Sequence, residues 1–231
     1  MSLKIDQSKT LQNQVYEYLH SKIVNGEIQP GERIVEESIA KETGISRSPI
    51  REAIRRLDSV GLVSVSPRGG VRVYRPTFSD FKYLYECRLS LESTAAHYAA
   101  IRINPIQKEQ LSNLMNEMQQ AVSKQEVDHL RSLSTHFHNL IVQLSGNPYL
   151  DKMMKHLISH LTFYRNAVLN IPKRLEEGSD EHQAIGEAII AQDPKAAEEL
   201  MKLHIERDYQ FYISKYSNLN PETSLDLTSF S

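Results

Sequence analysis

Between Arg47 and Arg75 the chain carries seven arginines and only two acids, Glu52 and Asp58. Such a row suits phosphate and base-edge chemistry. A guanidinium is permanently charged, and its planar fork matches phosphate oxygens and the O6/N7 edge of guanine. A solvated helix face usually mixes Lys with Glu, whereas all seven cations here are arginine. The formal charge of −2 for the whole chain conceals this row. Residues 1–76 hold 12 Lys/Arg against 9 Asp/Glu, and the remainder holds 15 against 20. A basic start and an acidic rest predict a phosphate-binding surface confined to the first third.

Three of the nine histidines carry a second chemistry. His182 precedes the Gln192-Asp193 turn by ten residues, and His204 follows it by eleven. Two antiparallel helices joined there bring both imidazoles to one level. His138, converging from another helix, completes a three-histidine set with room for water or ligand, suited to zinc or nickel. The plainer reading is a packed or solvated helical histidine, and His20, His97, His129, His156 and His160 are read that way. The rival function from this set is a metal-dependent hydrolase. Against it, no general base stands beside the three: Ser134, one turn before His138, is a poor one, and Glu181 projects about 100° away from His182 on a helix.

The elements that position these residues follow from apolar spacing and breakers. Leu11, Val15, Leu19 and Ile23 repeat with helical period and stop at Asn25-Gly26. Ile28-Gln29-Pro30-Gly31 reads as a turn, and a short second helix spans 35–43 with Ile39 and Ala40 inward. Gly44 breaks it, Ile45 plugs the corner, and Ser46 is expected to cap the next helix, which buries Ile50, Ala53, Ile54 and Leu57 and ends at Gly61. A short helix, a tight glycine turn and a capped helix make helix-turn-helix spacing. Two β-like runs, 62–65 and 71–74, flank Ser66-Pro67-Arg68-Gly69-Gly70 and predict a hairpin wing.

From Ser79 only helical periodicity remains, over 80–100, 106–123, 128–145, 148–170, 179–191 and 194–216, each bounded by Pro, Gly or Asn. The expected fold is mainly α: a winged helix-turn-helix of three helices and a hairpin (1–76), an all-α six-helix bundle (77–220) and a disordered tail (221–231). No apolar run reaches the roughly 18 residues of a membrane span. The single cysteine, Cys87, excludes an internal disulfide and fits a cytoplasmic protein, with the thiol read as a small apolar residue packed on a helix.

On this frame Arg47 and Ser48 sit at the N-terminus of the third helix, where free amides favour a phosphate or a groove edge. Arg51, one turn later and opposite the apolar face, is the candidate for reading guanine. Arg55 and Arg56 lie further back and suit phosphates, while Arg68 with Gly69-Gly70 at the wing tip suits the minor groove or sugar edge. A helical interaction module with an incidental basic patch would leave the wing and these arginines unexplained.

The residues Pro30-Gly31, Ser46-Arg47-Ser48-Pro49-Ile50-Arg51-Glu52-Ala53, Leu57, Gly61-Leu62-Val63 and Gly70 resemble the GntR family of bacterial regulators. Arg88 in Tyr85-Glu86-Cys87-Arg88-Leu89, Glu92, Phe137-His138, Gly146-Asn147, Glu181-His182-Gln183-Ala184-Ile185, Asp193-Pro194 and His204 resemble the all-helical FCD effector domain of its FadR branch, from about Phe81 to Tyr216. The resemblance implies a cytoplasmic homodimeric repressor, on the nucleoid when bound to a palindromic double-stranded operator, that answers a small carboxylate effector. It also implies a metal held by His138, His182 and His204, with Arg88, Ser134 and Arg165 toward the effector. Two departures matter. Glu37 stands where some members carry a second-helix arginine, which bears on operator sequence. Ser134 stands where metal-binding members carry an aspartate, so the only anionic ligand is lost, and His136 points away from His138 and cannot replace it. Arg88 has an alternative partner in Glu92, one turn away, and Phe137, Tyr164 and Met154 read as core.

Overall fold

The computed structural model describes residues 8–66, 70–75, 77–168 and 172–216. Its contacts divide the chain into two units, one built mainly from Met1–Phe78 with Ile158–Asn170, the other from Ser79–Leu157 with Ile171–Asn220.

In the first unit α1 (Leu11–Val24), α2 (Glu36–Thr43) and α3 (Arg47–Ser59) close over one apolar core. Val15, Leu19 and Ile23 on α1 meet Ile39 on α2 and Ile50, Ala53, Ile54 and Leu57 on α3. Full burial of each such Leu or Ile contributes about 1.5–3 kcal/mol, so the helical period of apolar residues decides which face of α3 turns inward. Gly44 supplies the left-handed turn between α2 and α3 with φ 72°, and its N–H returns to the Ala40 carbonyl. Ser46 occupies the N-cap of α3 as expected but makes no side-chain capping bond. The third helical position is Pro49, which has no N–H to offer.

The wing is a three-stranded antiparallel sheet in the order β1 (Arg33–Ile34), β3 (Val71–Val73), β2 (Val63–Val65). The hairpin register pairs Val63 with Val73 and Val65 with Val71, and Ser66 N–H donates to the Gly70 carbonyl at 2.9 Å. The sequence reading missed β1, which pairs Ile34 with Val71. A two-residue strand is too short to show alternation and exists only because β3 offers it a partner. Pro67, Arg68 and Gly69 lie outside the described residues, as does the tail from 221.

The second unit is helical: α4 (Phe78–Arg102), α5 (Pro105–Ser123), α6 (Val127–Leu144), the first half of α7 (Pro148–Val168), α8 (Pro172–Ile190) and α9 (Pro194–Tyr216). A capping box at Asn104 and Gln107 starts α5. Phe137 and Ile141 on α6, Ile185 and Ile189 on α8, and Met201 and Ile205 on α9 are buried. At Gly186 a β-carbon would lie 2.0 Å from Met115 Sδ. The missing side chain therefore lets α5 and α8 approach closely, one turn beyond His182. The main correction to the sequence reading is α8, which begins at Pro172 instead of 179. Gly178 does not break it: the residue is buried within the helix, and a β-carbon there would make only ordinary contact with Arg174 and His204 at 3.9 Å. Cys87 is exposed on α4, not packed.

Candidate functional site

Four helices of the second unit deliver side chains to one buried centre. His138 comes from α6, His182 from α8 and His204 from α9, and all three are buried. Their Nε2 atoms form a near-equilateral triangle: 3.1 Å from His182 to His138, 3.2 Å from His182 to His204, and 3.3 Å from His204 to His138. The expected levelling of His182 with His204 about the 192–193 turn is present. His136 is exposed, two residues from His138 on the other side of α6.

The far nitrogens are braced. His138 Nδ1 lies 2.5 Å from Glu92 Oε2, and His204 Nδ1 lies 2.6 Å from Glu181 Oε2. A carboxylate only accepts, so each of these rings places its proton on Nδ1 and turns the Nε2 lone pair inward, a tautomer assigned from the partner. Burial pushes the Glu181 carboxyl up, but the hydrogen bonds from His204 and Arg174 outweigh it and hold the group at about 2. Glu92 is also pulled far below the carboxylate range, because the attraction of Arg88 and then His138 overcomes complete burial. Glu181 therefore reaches the centre after all, from behind His204 and not from beside His182.

Arg88 is fully buried on α4. Its Nε donates to Glu92 at 2.7 Å, one terminal nitrogen donates to Asp208 Oδ2 at 3.1 Å, and the other lies 3.1 Å from His138 Nε2. The Glu92 pairing weighed from the sequence is formed, and Asp208 adds a second acid. Ser134 is buried one turn before His138. The side chains of Arg165 and Tyr164 lie outside the described residues. Phe137 and Met154 are core.

Two residues of the centre escaped the sequence reading. Arg174 is buried on α8 and joins Asp208 (3.0 Å) and Glu181 (2.7 Å). Asp208, one turn after His204 on α9, bridges Arg174 and Arg88. Pro172, a favoured first helical residue, was the available signal for the early start of α8 that carries Arg174 inward. The histidines read as packed or solvated are placed so: His97 beside Glu198, His129 beside Glu117, His160 hydrogen-bonded to the Val60 carbonyl, His156 exposed, and His20 half-buried with burial lowering its basicity.

On α3 of the first unit, Arg47, Ser48, Arg51 and Arg55 are exposed on the side away from Ile50, Ile54 and Leu57. Arg47 lies 3.3 Å from Glu37 and Arg51 2.9 Å from Glu36, both acids from α2, and Arg55 pairs with Glu52 at 2.7 Å. The charge count between Arg47 and Arg75 did not include the two α2 acids. These are exposed pairs, worth about 0–1 kcal/mol each, and are readily exchanged for phosphate. Arg56 turns back to α1, where it donates to Asn13 and lies 4.1 Å from the centre of the Tyr16 ring.

Residues 11–73 match the family described as bacterial regulatory proteins, gntR family, and residues 83–207 match the FCD domain. The "Uncharacterized HTH-type transcriptional regulator YdhC" of Bacillus subtilis (strain 168) is 31% identical over 206 residues, covering 89% of this chain and 92% of its own. This chain belongs to the GntR family of transcriptional regulators. The "HTH-type transcriptional repressor GlaR" of Escherichia coli (strain K12) is 26% identical, with 82% of this chain and 90% of that one covered. The solved structure of "E. coli McbR/YncC" shares the fold of this GntR-family chain, with a TM-score of 0.76 at 23% identity over 90% of this chain and 99% of that one. Both matched domains belong to DNA-binding regulators and not to enzymes, which sets aside the hydrolase alternative. No helix among the described residues is long and apolar enough to cross a membrane.

Proposed function

We propose that this regulator is a cytoplasmic repressor that grips a palindromic operator as a homodimer and answers a small carboxylate through a divalent metal, zinc or nickel, held by His138, His182 and His204. The observation that carries the metal is the Nε2 triangle. With the Nδ1 protons of His138 and His204 committed to Glu92 and Glu181, at least two lone pairs face each other across 3.3 Å. The one N–H of His182 serves one neighbour and Arg88 reaches His138 Nε2 at 3.1 Å, whereas a single cation serves all three nitrogens at once. Ligands about 2.0–2.1 Å from one ion at a tetrahedral angle stand roughly 3.3–3.4 Å apart, close to the edges found here. A bound metal supplies Lewis acidity toward a carboxylate oxygen. Arg88 orients the effector from α4, with Ser134 at the rim and Arg165 as a further contact implied by the family pattern.

Arg47, Ser48 and Arg51 enter the major groove, Arg55 and Arg56 serve phosphates, and Arg68 and Gly70 serve the wing contact. Pairing of two copies is favoured along α4, whose outward stripe of Tyr83, Cys87, Leu91, Thr94, Tyr98 and Ile101 carries no charge. The effector acts by shifting the population toward a dimer whose recognition helices no longer match the half-site spacing.

Two measurements test this reading. Zn²⁺ or Ni²⁺ raises the melting temperature of the chelated protein, and His182→Ala or His204→Ala removes that rise; identical melting with and without metal overturns the metal. Fluorescence anisotropy at low salt finds one palindromic sequence bound above others, and equal affinity for all sequences overturns the operator.

A further inference from the structure

We propose that Asp208 supplies the anionic ligand of the metal centre. The inference rests on the three-histidine reading above and concerns what completes it. Three imidazoles bring no charge to a divalent ion, and Ser134 brings none either. Three carboxylates stand close enough to matter: Glu92 and Asp208 are buried, and Glu181 is half-buried. Glu92 and Glu181 are committed to Nδ1 atoms, on the side of each ring facing away from the triangle. Asp208 approaches a ligating nitrogen, with Oδ2 3.8 Å from His204 Nε2.

The position follows from helix geometry. Asp208 is four residues after His204 on α9, so the two share a face and lie one turn apart. Position 208 on α9 thus lies one turn from a ligating histidine, as position 134 does on α6, and it is the one that carries a carboxylate. What holds Asp208 at the rim is its bridge to two buried arginines, Arg88 NH1 at 3.1 Å and Arg174 Nε at 3.0 Å. The two guanidiniums supply the hydrogen-bond donors that a buried carboxylate needs. Asp208 Oδ2 would serve an ion on the three Nε2 atoms while Oδ1 keeps its bond to Arg174, and the Arg88 nitrogen now on Oδ2 would turn to an incoming carboxylate, which links metal binding to the effector role proposed for Arg88.

The test loads the full chain with Co²⁺, whose visible absorption reports ligand type and number, and titrates affinity against a chromophoric chelator. Wild type takes up one Co²⁺ per chain. Asp208→Asn weakens it by about tenfold or more, the scale on which residues supporting a metal site act, and shifts the Co²⁺ bands. Ser134→Asp alone changes affinity little, because a carboxylate is already present, but restores it in the Asp208→Asn background. Asp208→Glu, which keeps a carboxylate for both arginines, retains more affinity than Asp208→Asn, and melting of the metal-free variants separates loss of fold from loss of ligand. Unchanged affinity and bands in a folded Asp208→Asn protein overturn this assignment and leave the histidine site standing. Weakened affinity with unmoved bands also overturns it, since charge alone would act that way. Absence of Co²⁺ uptake by wild type overturns both.

Discussion

Arg51 and Arg55 stand one turn apart on the exposed side of α3, and their different partners set different expectations. Arg51 is reached by Glu36 from a separate helix at 2.9 Å, whereas Arg55 is held by Glu52 of its own helix. Arg51, nearer the helix N-terminus, is the proposed base reader. Arg51→Ala is expected to remove about 1–3 kcal/mol of discrimination at one base pair, seen by anisotropy against a panel of single-base operator variants. Arg55→Ala is expected to weaken every sequence alike, without changing their order. Equal relaxation by both substitutions would reverse the assignment of roles. The arginine row was legible from residue type and spacing. The acids opposite it were not, because Glu36 and Arg51 are 15 residues apart and meet only after α2 and α3 pack. Asp208 was hidden for the same reason: its partners Arg88 and Arg174 lie 120 and 34 residues away.

At the scale of elements, the helix-turn-helix depends on one glycine. Gly44 has φ 72°, and nothing lies within 4 Å of the position a β-carbon would take. The cost of Gly44→Ala is therefore conformational alone, roughly 1–2 kcal/mol for a left-handed residue with a side chain. Urea unfolding should show that loss with an unchanged slope, and an unaltered midpoint would mean the turn relaxes elsewhere. Long amphipathic helices were legible because ten or more residues repeat one pattern. The failures came where the pattern was short or a breaker was misread. Strand β1 has two residues. In α8, Gly178 looked like a boundary, yet it lies buried inside the helix beside Arg174 and His204. Misplacing that start by two turns removed Arg174 from the expected site. The meeting of His182 with His204 was legible because it needed only a helix pair and a turn of known position.

For the molecule as a whole, the contrast between a basic first third and an acidic remainder (+3 against −5) supports the proposed phosphate-binding surface in residues 1–76. Binding should therefore fall steeply with salt, with log affinity linear in log salt concentration. A second consequence belongs to α4. The chain has one cysteine, and its thiol is exposed amid an uncharged stripe. Every copy thus presents a single alkylation handle at one defined place. If two copies meet along that stripe, dilution across the dissociation range should quicken maleimide labelling of Cys87, and a rate independent of protein concentration would place the junction elsewhere. A fluorophore attached there in dilute solution would dim or brighten as subunits associate, giving a direct optical titration of assembly with no second label.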